Sequence, residues 1–173
     1  MQKNDLYFKE KSIVRVLEVR EDKALVIDCV RRTMPQWKEL AFLAGWEKCS
    51  EEKLYEIADV DLPEIESLCP ESRKTAYERY TMLAPILHLL PDEKKKCEMI
   101  AVIASNEKIS KQTVRKYLCL YLAFQNVAIL APKDKENDTS LTKDEKNMRW
   151  ALNKFYFSYE KHSLKTAYTM MLK

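Results

Sequence analysis

The chain has a single glycine, Gly45, in 173 residues. Phosphate-cradling loops of the dinucleotide-binding and Walker types need several glycines where backbone approaches phosphate, so both are excluded. Primed hairpin turns also favour glycine, and its scarcity predicts that helix dominates over sheet. Histidine is almost as rare. His88 and His162 have no cysteine, serine or carboxylate partner at motif spacing, which leaves metal and triad chemistry without support. The five cysteines, Cys29, Cys49, Cys69, Cys97 and Cys119, stand twenty or more residues apart and form no zinc-binding hook. Their mostly apolar neighbours predict reduced, partly buried thiols, and no cofactor is expected for this chain. Long apolar runs are missing too: Leu118 to Pro132 is interrupted by Gln125 and Asn126 and falls short of the roughly 18 to 20 residues of a bilayer span. No secretory h-region follows the first residues, so no membrane partner and a cytoplasmic address are expected.

What is present is charge and apolar surface, 33% and 46% of residues, enough for a folded core and against whole-chain disorder. The net charge of +3 is unevenly placed. Residues 1–50 hold ten basic and eight acidic side chains, 51–90 four and nine, 91–133 eight and four, and 134–173 eight and six. An acidic block therefore separates basic flanks, and any nucleic-acid contact is expected from the flanks.

From Leu6 to Cys29, β-branched residues are dense and Val14, Val16 and Val19 fall near alternation. Two strands joined at Arg20 to Lys23 are predicted, pairing with Leu6 to Phe8. Trp37, Leu40, Ala41 and Ala44 step at helical spacing up to Gly45, a helix-ending residue. Residues 46–71 predict a short acidic helix and a connector. Ala76, Tyr77, Tyr80, Leu83 and Ala84 then mark one face of a helix from Ser72 that Pro85 should end or kink. A further helix is expected from Pro91 to about Ser105, with Lys94, Lys95 and Lys96 as a solvated first turn.

Asn106 to Ile109 is a polar break, after which Ser110 can cap a new helix while Ile109 and Val114 form a hydrophobic staple. Val114, Tyr117, Leu118, Tyr121 and Leu122 make its apolar stripe, leaving Lys111, Gln112, Arg115 and Lys116 outward. Two helices joined by a short turn, the second basic at its start, are a helix-turn-helix pattern. Such a helix places its first turns in the major groove, where Arg and Lys meet guanine acceptors and Gln pairs with adenine. Ser110, Thr113 and the helix-terminal amides would hold phosphates. An ordinary αα-hairpin with a solvated face would show the same pattern. The β-prone run Asn126 to Pro132 predicts a wing after the helix, with Lys133 at its exit near the DNA backbone.

Residues 134–141 predict a polar linker. Thr142 and Glu145 form a capping box, and Met148, Ala151, Leu152 and Phe155 predict a buried stripe. Ser163 then caps a second basic helix carrying Lys165 and Thr166, a plan that the chain interrupts in mid-pattern as a fragment would. Arg31 and Arg32, after the second strand, are further candidates for backbone contact. The tyrosines on apolar stripes and His88 are expected to pack in the core or at its boundary.

Four stretches carry a family resemblance: Ile13 to Val19, Ala24 to Trp37 with its Thr-Met-Pro-Gln-Trp tail, Ser110 to Leu118, and Asn147 to Tyr156. Together they resemble the N-terminal region of Mu-type, TnsB-like DDE transposases. The resemblance implies small modules that bind the element's terminal repeats ahead of a catalytic domain whose carboxylates hold Mg²⁺. Nothing in these residues matches that catalytic domain.

The expected architecture is mostly α with a small N-terminal β unit and tandem helix-turn-helix, winged-helix-like modules. Residues 1–50 would form the β unit and 51–71 an acidic connector. Residues 72–133 would form the first DNA-binding domain, 134–141 the linker and 142–173 a second, truncated helix-turn-helix. The expected partner is double-stranded DNA, with other transposase protomers as companions. The alternatives are a stand-alone transcriptional regulator and a helical protein-interaction module.

Overall fold

The computed structural model describes residues 1–62 and 64–132, together with Asn147, Met148, Trp150, Ser163 and Lys165. It divides into one compact unit over Met1–Pro132 and a second over Lys133–Lys173. The first unit begins with a sheet of strands β1 (Leu6–Lys9), β2 (Ser12–Arg20), β3 (Lys23–Asp28), β4 (Gln36–Glu39) and β5 (Glu47–Cys49), in the order β4-β3-β2-β1-β5. All pairings are antiparallel. Helices α1 (Glu51–Ala58), α2 (Pro70–Leu87), α3 (Glu93–Asn106) and α4 (Lys111–Phe124) follow.

The predicted hairpin forms, and its turn falls at Glu21 and Asp22. The sheet is larger than glycine scarcity suggested, because other residues take the conformations that glycine usually supplies. Among the described residues, seven non-glycine residues have positive φ, including Glu10 and Glu21 in the two hairpin turns. An L-residue there costs on the order of 1–2 kcal/mol, a strain that five strands of pairing and burial absorb.

Both faces of the sheet are covered. Val14, Val16, Ala24 and Val26 pack under Leu43 with Tyr7, Leu40 and Trp46. Leu43 belongs to a 3₁₀ turn, Leu40–Leu43, on the crossover from β4 to β5. The helix expected from Trp37 to Ala44 is therefore a strand followed by this turn. Trp37 and Leu40 serve pleat and crossover rather than one helical face, although Gly45 does adopt φ +79°. On the other face, Leu6, Ile13, Leu17, Leu25 and Ile27 share one core with Leu54 of α1, Leu83 and Ile86 of α2, Ile100 of α3, and Leu118, Leu122 and Phe124 of α4. Residues 1–50 and 72–132 thus share one core within a single compact unit, not the separate modules the sequence suggested.

Several helix details also differ. Helix α2 continues through Pro85, which lies exposed on its outer side, and Tyr77 (49% exposed) and Ala84 face away from the core. Its buried positions are Ser72, Ala76, Leu83 and Ile86. Helix α3 starts after Asp92, whose carboxylate accepts the amide of Lys95 at 3.1 Å, instead of at Pro91. This bond, the largest influence on Asp92, holds its carboxyl below the usual carboxylate range. Lys96 is fully buried, not part of a solvated turn, and its ammonium lies 3.5 Å from Glu93. His88 is exposed at the end of α2 and takes no place in the core.

Candidate nucleic-acid interface

The turn between α3 and α4 opens on backbone hydrogen bonds. The amide of Ile109 donates to the carbonyl of Ala104 at 3.0 Å and that of Lys108 to Ser105 at 3.3 Å, with Lys108 at φ +53°. This is the paired bonding of a Schellman ending, in which the residue after the left-handed position is apolar. Ile109 is that residue, half-buried against the core that contains Val114. Ser110 then caps α4 as the sequence predicts: its hydroxyl accepts the amide of Thr113 at 3.0 Å and lies 2.9 Å from the Thr113 hydroxyl. Two helices meet through four residues, and the second begins with exposed cations.

Helix α4 divides along its length. Val114 and Leu118 are buried, whereas Lys111, Gln112, Arg115 and Lys116 are exposed. Among the described residues, none of Lys111, Arg115 and Lys116 has an ion-pair partner within 4 Å. From Leu118 onward the helix is enclosed, with Cys119, Leu122, Ala123 and Phe124 all buried. The groove-facing candidates are therefore confined to the first turn and a half. Burial also pushes the Cys119 thiol up to about 11 and that of Cys29 to about 12, so neither is a nucleophile near neutral pH.

The enclosure is held by a residue that sequence reasoning passed over. Arg15 of β2 is 1% exposed, although its neighbours are apolar. Its Nε donates to the carbonyl of Ala123 at 2.9 Å, and its two terminal nitrogens grip the Glu51 carboxylate at 2.7 Å each. One side chain thus ties sheet, α1 and the C-terminal end of α4 together. A charged residue inside an unbroken β-branched run was the available signal.

The expected wing does not form. Val127–Leu130 is a 3₁₀ turn started by Asn126, whose side chain accepts the Ala128 amide at 2.8 Å. It folds back on α2, where Arg79 donates to the Leu130 carbonyl at 2.6 Å and lies 4.6 Å from the Tyr117 ring. The apolar residues Ala128 and Leu130 gain more from burial there than from an exposed edge strand.

Arg31 and Arg32 lie in the β3–β4 loop, at the opposite end of α4 from Ser110. Arg32 stands 5.5 Å from the Phe124 ring, and Arg31 is largely exposed with Asp28 at 3.9 Å. In the second unit, Ser163 lies outside regular structure and Lys165 is helical and exposed. Met148, expected in a buried stripe, is 49% exposed. Lys133, Thr166 and the linker at 134–141 lie outside the described residues. No helix among the described residues is long and apolar enough to cross a membrane.

Comparison with protein families matches residues 142–173 to the TnsB transposase helix-turn-helix domain. A search of curated proteins finds no match. The matched stretch contains Ser163, Lys165 and Thr166, the second basic helix of the sequence pattern, and excludes α3 and α4. Residues 142–173 are thus similar to the TnsB transposase helix-turn-helix domain, a likeness that supports DNA binding in a transposase context.

Proposed function

We propose that this chain recognises the terminal repeats of a transposable element in sequence-specific fashion, as the non-catalytic N-terminal part of a DDE transposase. The match at residues 142–173 carries the proposal, since it supports a transposase DNA-binding role, and the capped helix-turn-helix pattern of α3 and α4 earlier in the sequence adds to that reading. In the first unit, Lys111, Gln112, Thr113 and Arg115 would meet the duplex, with Lys116 and Ser110 at phosphates. In the second, Lys165 and Thr166 would do so, with Ser163 at the helix start and Lys133 on the approach. Two modules in series suit terminal repeats, because each reads a short segment and linkage raises the effective concentration of the other.

The partners are double-stranded DNA and, within an assembled element end, further transposase protomers. No cofactor is required for binding; Mg²⁺ would serve only a catalytic domain outside these residues. In-line displacement by paired metals requires carboxylates that hold two ions about 3.5 to 4 Å apart. Asp59 and Asp61 are exposed at and beyond the end of α1, an unsuitable setting for such a pair. The test combines the chain with a terminal-repeat duplex and Mg²⁺ or Mn²⁺. Retarded but intact DNA is expected. Metal-dependent nicking that disappears in the Asp59→Ala/Asp61→Ala variant would contradict the non-catalytic assignment.

A further inference from the structure

We infer that the β3–β4 loop, residues 29–35, occupies the place of the missing wing and grips the phosphate backbone beside α4 through Arg31, Arg32 and Thr33. The inference rests on the reading of α4 as a DNA-facing helix and specifies what must lie next to it.

At about 100° per residue, Lys111, Arg115, Gln112 and Lys116 fan over roughly 140° of the α4 circumference. Cys119 falls near the middle of that fan, one turn further along. It is nevertheless buried, and its sulfur lies 3.5 Å from that of Met34 in the β3–β4 loop. The loop is therefore seated on the same face of α4 that presents the four polar side chains. A duplex approaching Arg115 and Lys116 must run against it.

The loop is built to stay in place. The Asp28 carboxylate accepts the amides of Val30 at 3.0 Å and Arg31 at 2.8 Å, and the Asp28 carbonyl accepts that of Arg32 at 2.9 Å. Arg32 itself turns the chain at φ +56° and lies over Phe124. At the far end, the Trp37 indole donates to the Pro91 carbonyl at 3.2 Å. Arg31, Arg32 and Thr33 remain exposed between these anchors. From Arg115 to Phe124 the helix rises about 14 Å at 1.5 Å per residue, which spans about four base steps of 3.4 Å. Base-reading side chains at one end of such a surface and backbone-gripping arginines at the other reproduce the division of labour between recognition helix and wing. Here the wing comes from the N-terminal sheet, which explains why that sheet shares a core with the helices.

The test uses the full chain and a labelled duplex that the unaltered chain has itself selected from a randomised pool, with a scrambled duplex as companion. The loop variant is Arg31→Gln/Arg32→Asn, asparagine being chosen because it tolerates positive φ. Its control, Lys23→Ala/Lys38→Ala, removes the same charge from the end of the sheet at the β2–β3 turn. Loss of two phosphate contacts should reduce the slope of log K against log salt by about 1.8, and should weaken selected and scrambled duplexes by the same factor. The control should keep the parent's slope, and Arg115→Ala should weaken the selected duplex more than the scrambled one. Independently, a benzophenone amino acid in place of Thr33 should photocrosslink to the duplex, which decides the matter if the double variant does not fold. An unchanged slope without a Thr33 crosslink overturns the inference, and if Arg115→Ala still weakens binding, the α4 reading survives it. No duplex selected at all would instead remove the reading on which the inference rests.

Discussion

The Arg15 clamp makes a prediction in which the two partners of one ion pair behave differently. Arg15 is 1% exposed and the Glu51 side chain 43%. Removing the carboxylate strands a buried guanidinium, whereas removing the guanidinium frees a carboxylate that water can reach. Breaking a buried pair by deleting one partner costs about 3–5 kcal/mol when the remaining charge stays buried. That is the expectation for Glu51→Ala. Arg15→Met keeps the apolar stem and releases Glu51 to solvent, so its main cost is the Ala123 carbonyl, which loses its 2.9 Å donor and keeps only the Cys29 thiol at 3.6 Å. An under-satisfied buried acceptor costs about 1–3 kcal/mol. Urea unfolding followed by tryptophan fluorescence should show midpoints in the order parent, Arg15→Met, Glu51→Ala, at constant m. With roughly 4 °C lost per kcal/mol for a unit of this size, Glu51→Ala should melt about 12–20 °C below the parent. If Arg15→Met cost as much as Glu51→Ala or more, the stranded charge would not be the controlling factor and the reasoning would fail.

Arg115→Ala should lower affinity for a cognate duplex by about 1–3 kcal/mol if it reads a base, while equal affinity would remove α4 from the interface. Ser110→Ala deletes the α4 cap and should cost about 1 kcal/mol of stability by chemical denaturation; no change would mean the cap bond contributes nothing. Glu10→Asn relieves a left-handed glutamate in the β1–β2 turn and should raise stability by up to about 1 kcal/mol. Alkylation at pH 8 should modify the exposed Cys97 and spare Cys29 and Cys119 until the protein unfolds. The same two thiols hold their protons to about 12 and 11 in the fold against an ordinary value of 9.0. The folded state therefore binds more protons above pH 9, and stability should fall as pH rises from 9 toward 12. Trypsin should cut first between Lys133 and Lys143, the polar stretch that opens the second unit, and early cleavage inside α3 or α4 would place the boundary elsewhere.

The elements most legible in the sequence were those whose signals are local. The β2–β3 hairpin follows from β-branched alternation, and the start of α4 follows from Ser110 and the Ile109 to Val114 staple. The elements that misled were those settled by long-range burial. Pro85 does not end α2, which runs on to Leu87 with Ile86 buried in the shared core. Lys96 disappears into the core, and Asn126 to Pro132 is drawn onto α2 by Ala128, Leu130 and Arg79. Glycine scarcity underestimated the sheet because Glu10 and Glu21 accept conformations that their composition argues against. For the interface, spacing identified the polar fan of α4, but nothing in the spacing could show that a loop 85 residues away covers Cys119 in its middle. The family match covers residues 142–173, the stretch that the sequence pattern reads as a second, truncated helix-turn-helix.

The central claim, recognition of element ends, is tested most directly by a salt-resolved titration of the full chain. Fluorescence anisotropy would compare a duplex carrying the terminal repeat of the encoding element with one of the same composition in scrambled order, each from about 50 to 200 mM salt. Specific recognition predicts that both affinities fall steeply with salt while the repeat stays preferred, typically by at least about 10³-fold at physiological salt. Equal affinity for the two duplexes at every salt concentration, or no binding to either, would contradict it.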